Sequence, residues 1–218
     1  MAAYLLGSVP LAYLVAKWSR GIDLRQLGSG NIGASNLWVS VSKWVALAVG
    51  FFDVVKGILA VWVAQQFGLG VAEQVTVGVA AVAGHNWSVF LRFSGGRGLL
   101  TTMGIVLYLM PWGVASFLAI ASISFFTKDS PLPVLGGLIT LPLVGWLSGE
   151  PLAITLGFTA MLIILVIRRL TAPRTPLAAS VNWQQLFINR LLFDRDIRDR
   201  RAWVHRPPAD QSSYKQKG

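Results

Sequence analysis

The sequence predicts an all-α integral membrane protein with about seven transmembrane helices. Three observations predict this. The 218-residue chain is 54% apolar and only 13% charged, with a mean hydropathy of +0.60, whereas a soluble domain is about 45–50% apolar and about 25% charged. So few charges would not cover the surface of a soluble core of this size. The apolar residues fall in long runs, at 2–18, 44–66, 71–91, 99–126, 132–147 and 152–167, several of them close to the ~20 residues that cross a hydrocarbon core. Nine tryptophans, a residue type enriched at membrane interfaces, complete the pattern.

The first sixteen residues are apolar with no basic segment before them, and Lys17 and Arg20 come after. That order predicts a retained span with its N-terminus outside rather than a cleaved signal. Ser8 and Pro10 lie inside the run at a position suited to a locally satisfied kink. Six spans would put the N-terminus and the basic C-terminal tail on one side, against the charge pattern. Splitting the run 99–126 at "YLMPWG", where Pro111 can break a helix and Trp112 suits an interface, gives seven. Joining the last two runs across "SGEP" gives the alternative of five, at the cost of burying Glu150 and Pro151. With seven, residues 17–43, the link "RFSGGRG" at 92–98 and the tail share the cytoplasmic side. Residues 67–70 and 128–130 are then expected on the opposite, charge-poor side.

Residues 1–170 form the membrane domain, and 171–218 form a basic cytoplasmic tail. From Arg168 onward there are eleven Lys or Arg against four acids, which is +7 of the chain's +10. This charge fits orientation in the membrane and contact with anionic headgroups of a lipid bilayer. Interleaved aspartates weaken any nucleic-acid footprint, so no nucleic-acid partner is expected. Within the tail, residues 182–204 place Trp183, Phe187 and Leu191 at helical spacing. They form a candidate amphipathic helix, either in the interface or docked on the protein. The absence of cysteine excludes disulfides, and His85 and His205 lack metal-ligand spacing, so neither metal nor cofactor is called for.

Four polar segments carry possible chemistry. "SGGRG", 94–98, enters a helix. Its glycines can aim backbone amides at a phosphate beside the Arg97 fork, or can simply form a tight turn. Asp53 and Lys56, three residues apart in an apolar run, share a helix face as a self-neutralising pair or as an anion site. His85 and Asn86 follow Gly84 near a helix end, where a lone histidine is as readily structural as catalytic. "QLGSGNIGASNLW", 26–38, offers Ser29, Asn31, Ser35 and Asn36 on a glycine-rich backbone, which suits an anionic headgroup or a self-satisfied loop.

Taken in order, "YLLGSVPLAYLVAK", "GIDLRQLGSGNIGASN", "FFDVVKG", "VAGHNWSVFLRFSGGRG" and "TTMG" resemble the bacterial acyl-phosphate:glycerol-3-phosphate acyltransferase family over residues 4–104. The resemblance implies a multi-pass protein of the bacterial inner membrane whose active site faces the cytoplasm. It implies transfer of a fatty acyl group from acyl phosphate to the sn-1 hydroxyl of glycerol 3-phosphate, giving lysophosphatidic acid. It implies Ser29, Lys56, His85 and Arg97 as catalytic residues. Gly30, Asn31, Asn36, Asp53, Lys43, Gly95, Gly96 and Gly98 would then bind the two phosphate-bearing substrates. Acyl phosphate is a mixed anhydride with a good leaving group, so positioning and charge stabilisation suffice without a covalent nucleophile. Ser29, with no adjacent base, is expected to bind rather than attack. The resemblance is that of a divergent member: a family arginine position is Val39, with Lys43 one turn on as its candidate substitute. Two family lysines are Ser94 and Arg97, and "VIRRLTAPRTP" stands where an "HRxN"-like segment is expected. A non-catalytic protein that binds or moves a phosphorylated lipid precursor is the alternative on the same scaffold.

Overall fold

Helices break where proline and glycine interrupt the apolar runs. The structure, a computed structural model, describes residues 1–127 and 130–204; His205 lies outside them. The expected single span 2–18 is two helices, α1 (Ala2–Ser8) and α2 (Leu11–Arg20), separated at Val9 and Pro10. Proline lacks the donor that would continue the helix. The Leu6 carbonyl that it would have reached accepts from the Val9 amide at 3.3 Å, and the Ser8 carbonyl accepts from Ser88 Oγ at 2.6 Å. α2 buries Ala12 and Ala16 and ends on Gly21 in the left-handed conformation at φ 68°, a frequent helix stop.

There follow α3 (Ala34–Ser40), α4 (Lys43–Gln66), α5 (Val71–Asn86), α6 (Leu99–Leu109), α7 (Pro111–Ala121), α8 (Ser124–Thr127), α9 (Pro131–Leu147) and α10 (Leu152–Leu170). The tail adds α11 (Trp183–Phe193) and α12 (Arg200–Val204). No strand occurs among the described residues. Within them, only α4 and α10 are long and apolar enough to cross a membrane by themselves.

The contacts fix the helix directions. A Cβ on Gly57 would lie 2.2 Å from the Thr101 carbonyl oxygen, and one on Gly104 would lie 2.1 Å from that of Val54. Those two pairs mark the crossing, and direction comes from its two sides, where a Cβ on Gly50 would lie 3.2 Å from Leu100 and Tyr108 bonds Gln65. α4 and α6 therefore run side by side in one direction, backbone against backbone, as small residues allow in membrane helices. α7 and α9 run oppositely, since Gly113 faces Leu141 and Gly137 faces Phe117. The run 99–126 thus folds back at Met110–Pro111, where the sequence predicts its split.

Val61, Val82, Ile105, Val106, Phe158 and Met161 are buried where α4, α5, α6 and α10 meet. Phe51, Phe67, Trp44 and Trp146 face outward, an apolar exterior suited to lipid. The loop before α3, the link before α6, the start of α9 and the end of α10 gather at one end of this frame. Residues 128 and 129 lie outside the described residues, but Ser130 lines the cavities at this end with Arg97. The expectation that put 128–130 on the opposite side fails for Ser130, because α7 returns to the end from which α6 departs.

Residues 182–204 are helical in two pieces rather than one. Asp194 adopts the left-handed conformation (φ 51°, ψ 38°) and terminates α11. α11 buries Leu186, Asn189 and Arg190 against the protein and leaves Trp183, Phe187 and Ile188 exposed.

Candidate active site

The loop 27–33 is shaped by Gly28 and Gly30, at φ 50° and 71°, a region glycine enters without a Cβ clash. Buried Asn36 fastens it: its Nδ2 reaches the Leu24, Leu27 and Asn31 carbonyls, each at 3.1 Å. Asn36 therefore holds the loop from behind, although part of it borders a cavity. Ser29 Oγ accepts from the Asn31 amide at 3.3 Å. Asn31 keeps a buried side-chain Oδ1 without a hydrogen-bond partner.

The link 94–98 passes beneath His85. A Cβ on Gly95 would lie 2.2 Å from the His85 carbonyl oxygen, and one on Gly96 would lie 2.1 Å from His85 Nε2. The Gly96 amide donates to the His85 carbonyl at 3.0 Å, so it is committed to the fold. The expectation that successive amides here aim at one phosphate does not hold for Gly96; the two glycines serve close packing on α5. Gly98, at φ 72°, turns the chain into α6.

Arg97 and Arg168 brace one another. Arg168 donates from Nε to the Gly96 carbonyl at 3.2 Å and from Nη2 to that of Gly95 at 2.9 Å. Arg97 Nη1 donates in return to the Arg168 carbonyl at 3.1 Å. On its other edge, Arg97 Nε lies 2.9 Å from Asp194 Oδ1 and donates to Oδ2 at 3.2 Å.

Three cavities meet at this arginine. The first, about 270 Å³, is a cationic mouth that includes Arg25, Ser29, Gly30, Arg168 and Arg195. The second, about 660 Å³, runs along Trp38, Val39, Leu47, Phe51 and Val54. The third, about 290 Å³, reaches Leu99, Leu138, Leu165 and His85. Asn31, Arg97 and Asp194 border all three.

Two expected residues stand apart. Lys56 is buried and touches none of these cavities. Its ammonium lies 2.6 Å from Asp53 Oδ1 and 2.7 Å from His85 Nδ1. A neutral His85 accepting there carries its proton on Nε2, toward the link. Lys43 is exposed, 5.7 Å from the centre of the Trp38 ring. It does not replace a cation at Val39, because α3 stops at Ser40 and a new helix starts at Lys43. The structure thus joins Ser29, Gly30, Asn31, Gly95 and Arg97 in the mouth, sets Asp53 and His85 beneath the link at the third cavity with Lys56 sealed behind them, and leaves Lys43 outside. Arg168, Asp194, Arg195 and Trp203 also line the mouth without having been singled out as site residues. The arginine pair ending α10 was the one signal for Arg168; the aspartates spaced among tail arginines were the faint one for Asp194.

These features define a helical membrane protein whose cationic mouth adjoins two largely apolar grooves. Residues 1–174 match the family described as "Glycerol-3-phosphate acyltransferase". Glycerol-3-phosphate acyltransferase 4 of Dehalococcoides mccartyi (strain CBDB1) is 42% identical over 217 residues, covering 95% of this chain and 92% of that protein. A glycerol-3-phosphate acyltransferase of Thermus thermophilus is 52% identical over 111 residues, 51% of this chain and 55% of that one. Among solved structures, PlsY (YgiH), an integral membrane glycerol 3-phosphate acyltransferase, superposes in its glycerol 3-phosphate form with a TM-score of 0.72 at 31% identity. That match covers 77% of this chain and 84% of that one. The lysophosphatidic acid form gives 0.68 at 29% identity over the same shares. The chain belongs to the glycerol-3-phosphate acyltransferase family.

Proposed function

We propose that this protein transfers a fatty acyl group from acyl phosphate to the sn-1 hydroxyl of glycerol 3-phosphate, giving lysophosphatidic acid. The observation that carries the reading is the position of Arg97, at the junction of a cationic mouth and two apolar grooves. Glycerol 3-phosphate is small and dianionic and suits the mouth. An acyl phosphate needs both environments, its chain in a groove and its phosphate beside the guanidinium. In the transfer, the hydroxyl oxygen bonds to the acyl carbon as the carbon–oxygen bond to phosphate breaks, and inorganic phosphate leaves carrying the hydroxyl proton.

Arg97 stabilises the charge that develops on that phosphate, in a setting where fixed donors act strongly. Ser29 and Asn31, which line the mouth, orient the acceptor. Ser29 is not the nucleophile in this scheme, because its Oγ faces the Asn31 amide and no base. Lys56 is sealed beneath the link, while Asp53 and His85 support the link and border the third cavity. In the same reading the chain spans the bacterial inner membrane seven times, N-terminus outside. The mouth and tail face the cytoplasm, as their arginines favour.

The test is an assay of purified protein in detergent with palmitoyl phosphate and glycerol 3-phosphate, the product identified by mass spectrometry. Lysophosphatidic acid formed from the phosphate donor and not from palmitoyl coenzyme A is expected. Product from the thioester alone overturns the donor assignment. Saturable binding of glycerol 3-phosphate without product favours a non-catalytic carrier instead.

A further inference from the structure

We infer that Asp194, from the tail, is a positioning residue for Arg97, so that the tail completes the acyl-transfer site. The inference rests on the reading of Arg97 given above. The family match ends at residue 174, and Asp194 lies twenty residues beyond it.

The contact is built rather than incidental. Asp194 takes a left-handed backbone conformation, which disfavours most side chains but tolerates Asp and Asn. That turn brings its carboxylate from the end of α11 onto the Nε edge of Arg97. The neighbouring backbone is locked. Buried Asp196 pairs with Arg190 Nε at 2.7 Å and accepts from the Thr175 amide and hydroxyl at 2.8 and 2.9 Å. Asn189 Nδ2 donates to the Asp196 carbonyl at 3.1 Å, and Arg190 Nη1 donates to that of Leu170 at 2.7 Å. Asp194 is thus held against the end of α10, the helix whose Arg168 carbonyl takes Nη1 of the same guanidinium.

The two contacts occupy Nε and Nη1 of Arg97. The residue itself borders the space where the three cavities meet. A guanidinium is a planar fork whose value at a phosphate depends on its orientation. A carboxylate on one edge and a carbonyl beside it fix that plane, as supporting hydrogen bonds fix the groups of other sites. Asp194 does not need to touch substrate to matter.

The test is a double-mutant cycle on the full-length protein, Asp194→Asn against Arg97→Lys. Asparagine keeps the side-chain shape and tolerates the left-handed turn while removing the charge. A lysine at 97 has no Nε edge to align. Asp194→Asn is expected to lower kcat/KM about ten- to hundredfold in the native background, the effect of losing a charge-assisted hydrogen bond. In the Arg97→Lys background it is expected to change kcat/KM less than about threefold, because coupled residues are non-additive. Equal losses in both backgrounds, or no loss in the first, would overturn the inference. The same cycle is read on glycerol 3-phosphate binding through tryptophan fluorescence, Trp203 being in the mouth. Absence of turnover in the native chain then strikes the acyltransferase reading while the cycle on binding still decides the role of Asp194.

Discussion

Two groups of charged residues lie within one helical frame and differ in what they leave open. In the group of Asp53, Lys56 and His85 the cation is closed off, the Lys56 side chain being only 1% exposed and held by both partners, which themselves border the third cavity. Arg97, 16% exposed at its side chain, is held at Nε and at Nη1 and borders all three cavities. Inside a membrane protein, a charge whose bonds are all made to its own fold is architecture. A charge held firmly but incompletely is a tool. In the sequence the two look alike, since each is a cation among apolar or small residues.

The first way to break the comparison is to open the closed cluster. Lys56→Met strands the Asp53 carboxylate in the interior, at a cost on the order of 3–5 kcal/mol. The expected result is loss of folded protein by size-exclusion chromatography in detergent, while Asp53→Leu combined with Lys56→Met restores recovery. Undiminished recovery of the single variant would show that the cluster is not a structural pair. A second, smaller effect comes from the α4–α6 contact that sets the cluster beneath the link. Gly104→Ala places a Cβ 2.1 Å from the Val54 carbonyl oxygen and is expected to cost about 1–3 kcal/mol, read as a lower Tm. An unchanged Tm would mean that these helices separate freely.

The smallest effect belongs to an ion pair at the rim of the mouth. Arg25, hydrogen-bonded to Asp23, holds that carboxyl below the ordinary carboxylate range. Because the folded value is the depressed one, the pair's contribution is complete above about pH 4, near the unfolded value. It is lost as pH falls through the folded value. Asp23→Asn is expected to cost less than about 1 kcal/mol at pH 7, with the Tm difference from the native chain vanishing in acid. A difference that persists there would assign the effect to shape rather than charge.

Much of this frame is legible in the sequence, because apolar run length and the Pro111 break are local signals. The membrane class and the turn at Met110–Pro111 follow from them directly. The Pro10 break is also local, yet a run of sixteen apolar residues hides how short the two resulting helices are. The site is legible in part. "GSGNIGASN" and "SGGRG" lead to Ser29, Asn31 and Arg97, because glycine beside hydrogen-bonding side chains is unusual in an apolar chain. What the sequence does not reveal is division of labour. Asn36 and Gly96 have the right chemistry for binding but spend it on backbone partners, and only tertiary geometry distinguishes the two uses. Asp194 is harder still, since its partner is 97 residues away and its own neighbourhood reads as a charged tail.

The most direct measurement is kcat/KM for acyl phosphate with Arg97→Ala, taken together with the Tm of the same preparation. A loss of about a hundredfold or more, in the range for removing one preorganised donor to developing charge, with Tm within a few degrees of the native protein, is the predicted result. Turnover close to the native rate, or a loss that only tracks unfolding, would contradict the claim that Arg97, at the junction of the three cavities, is where the chemistry is done.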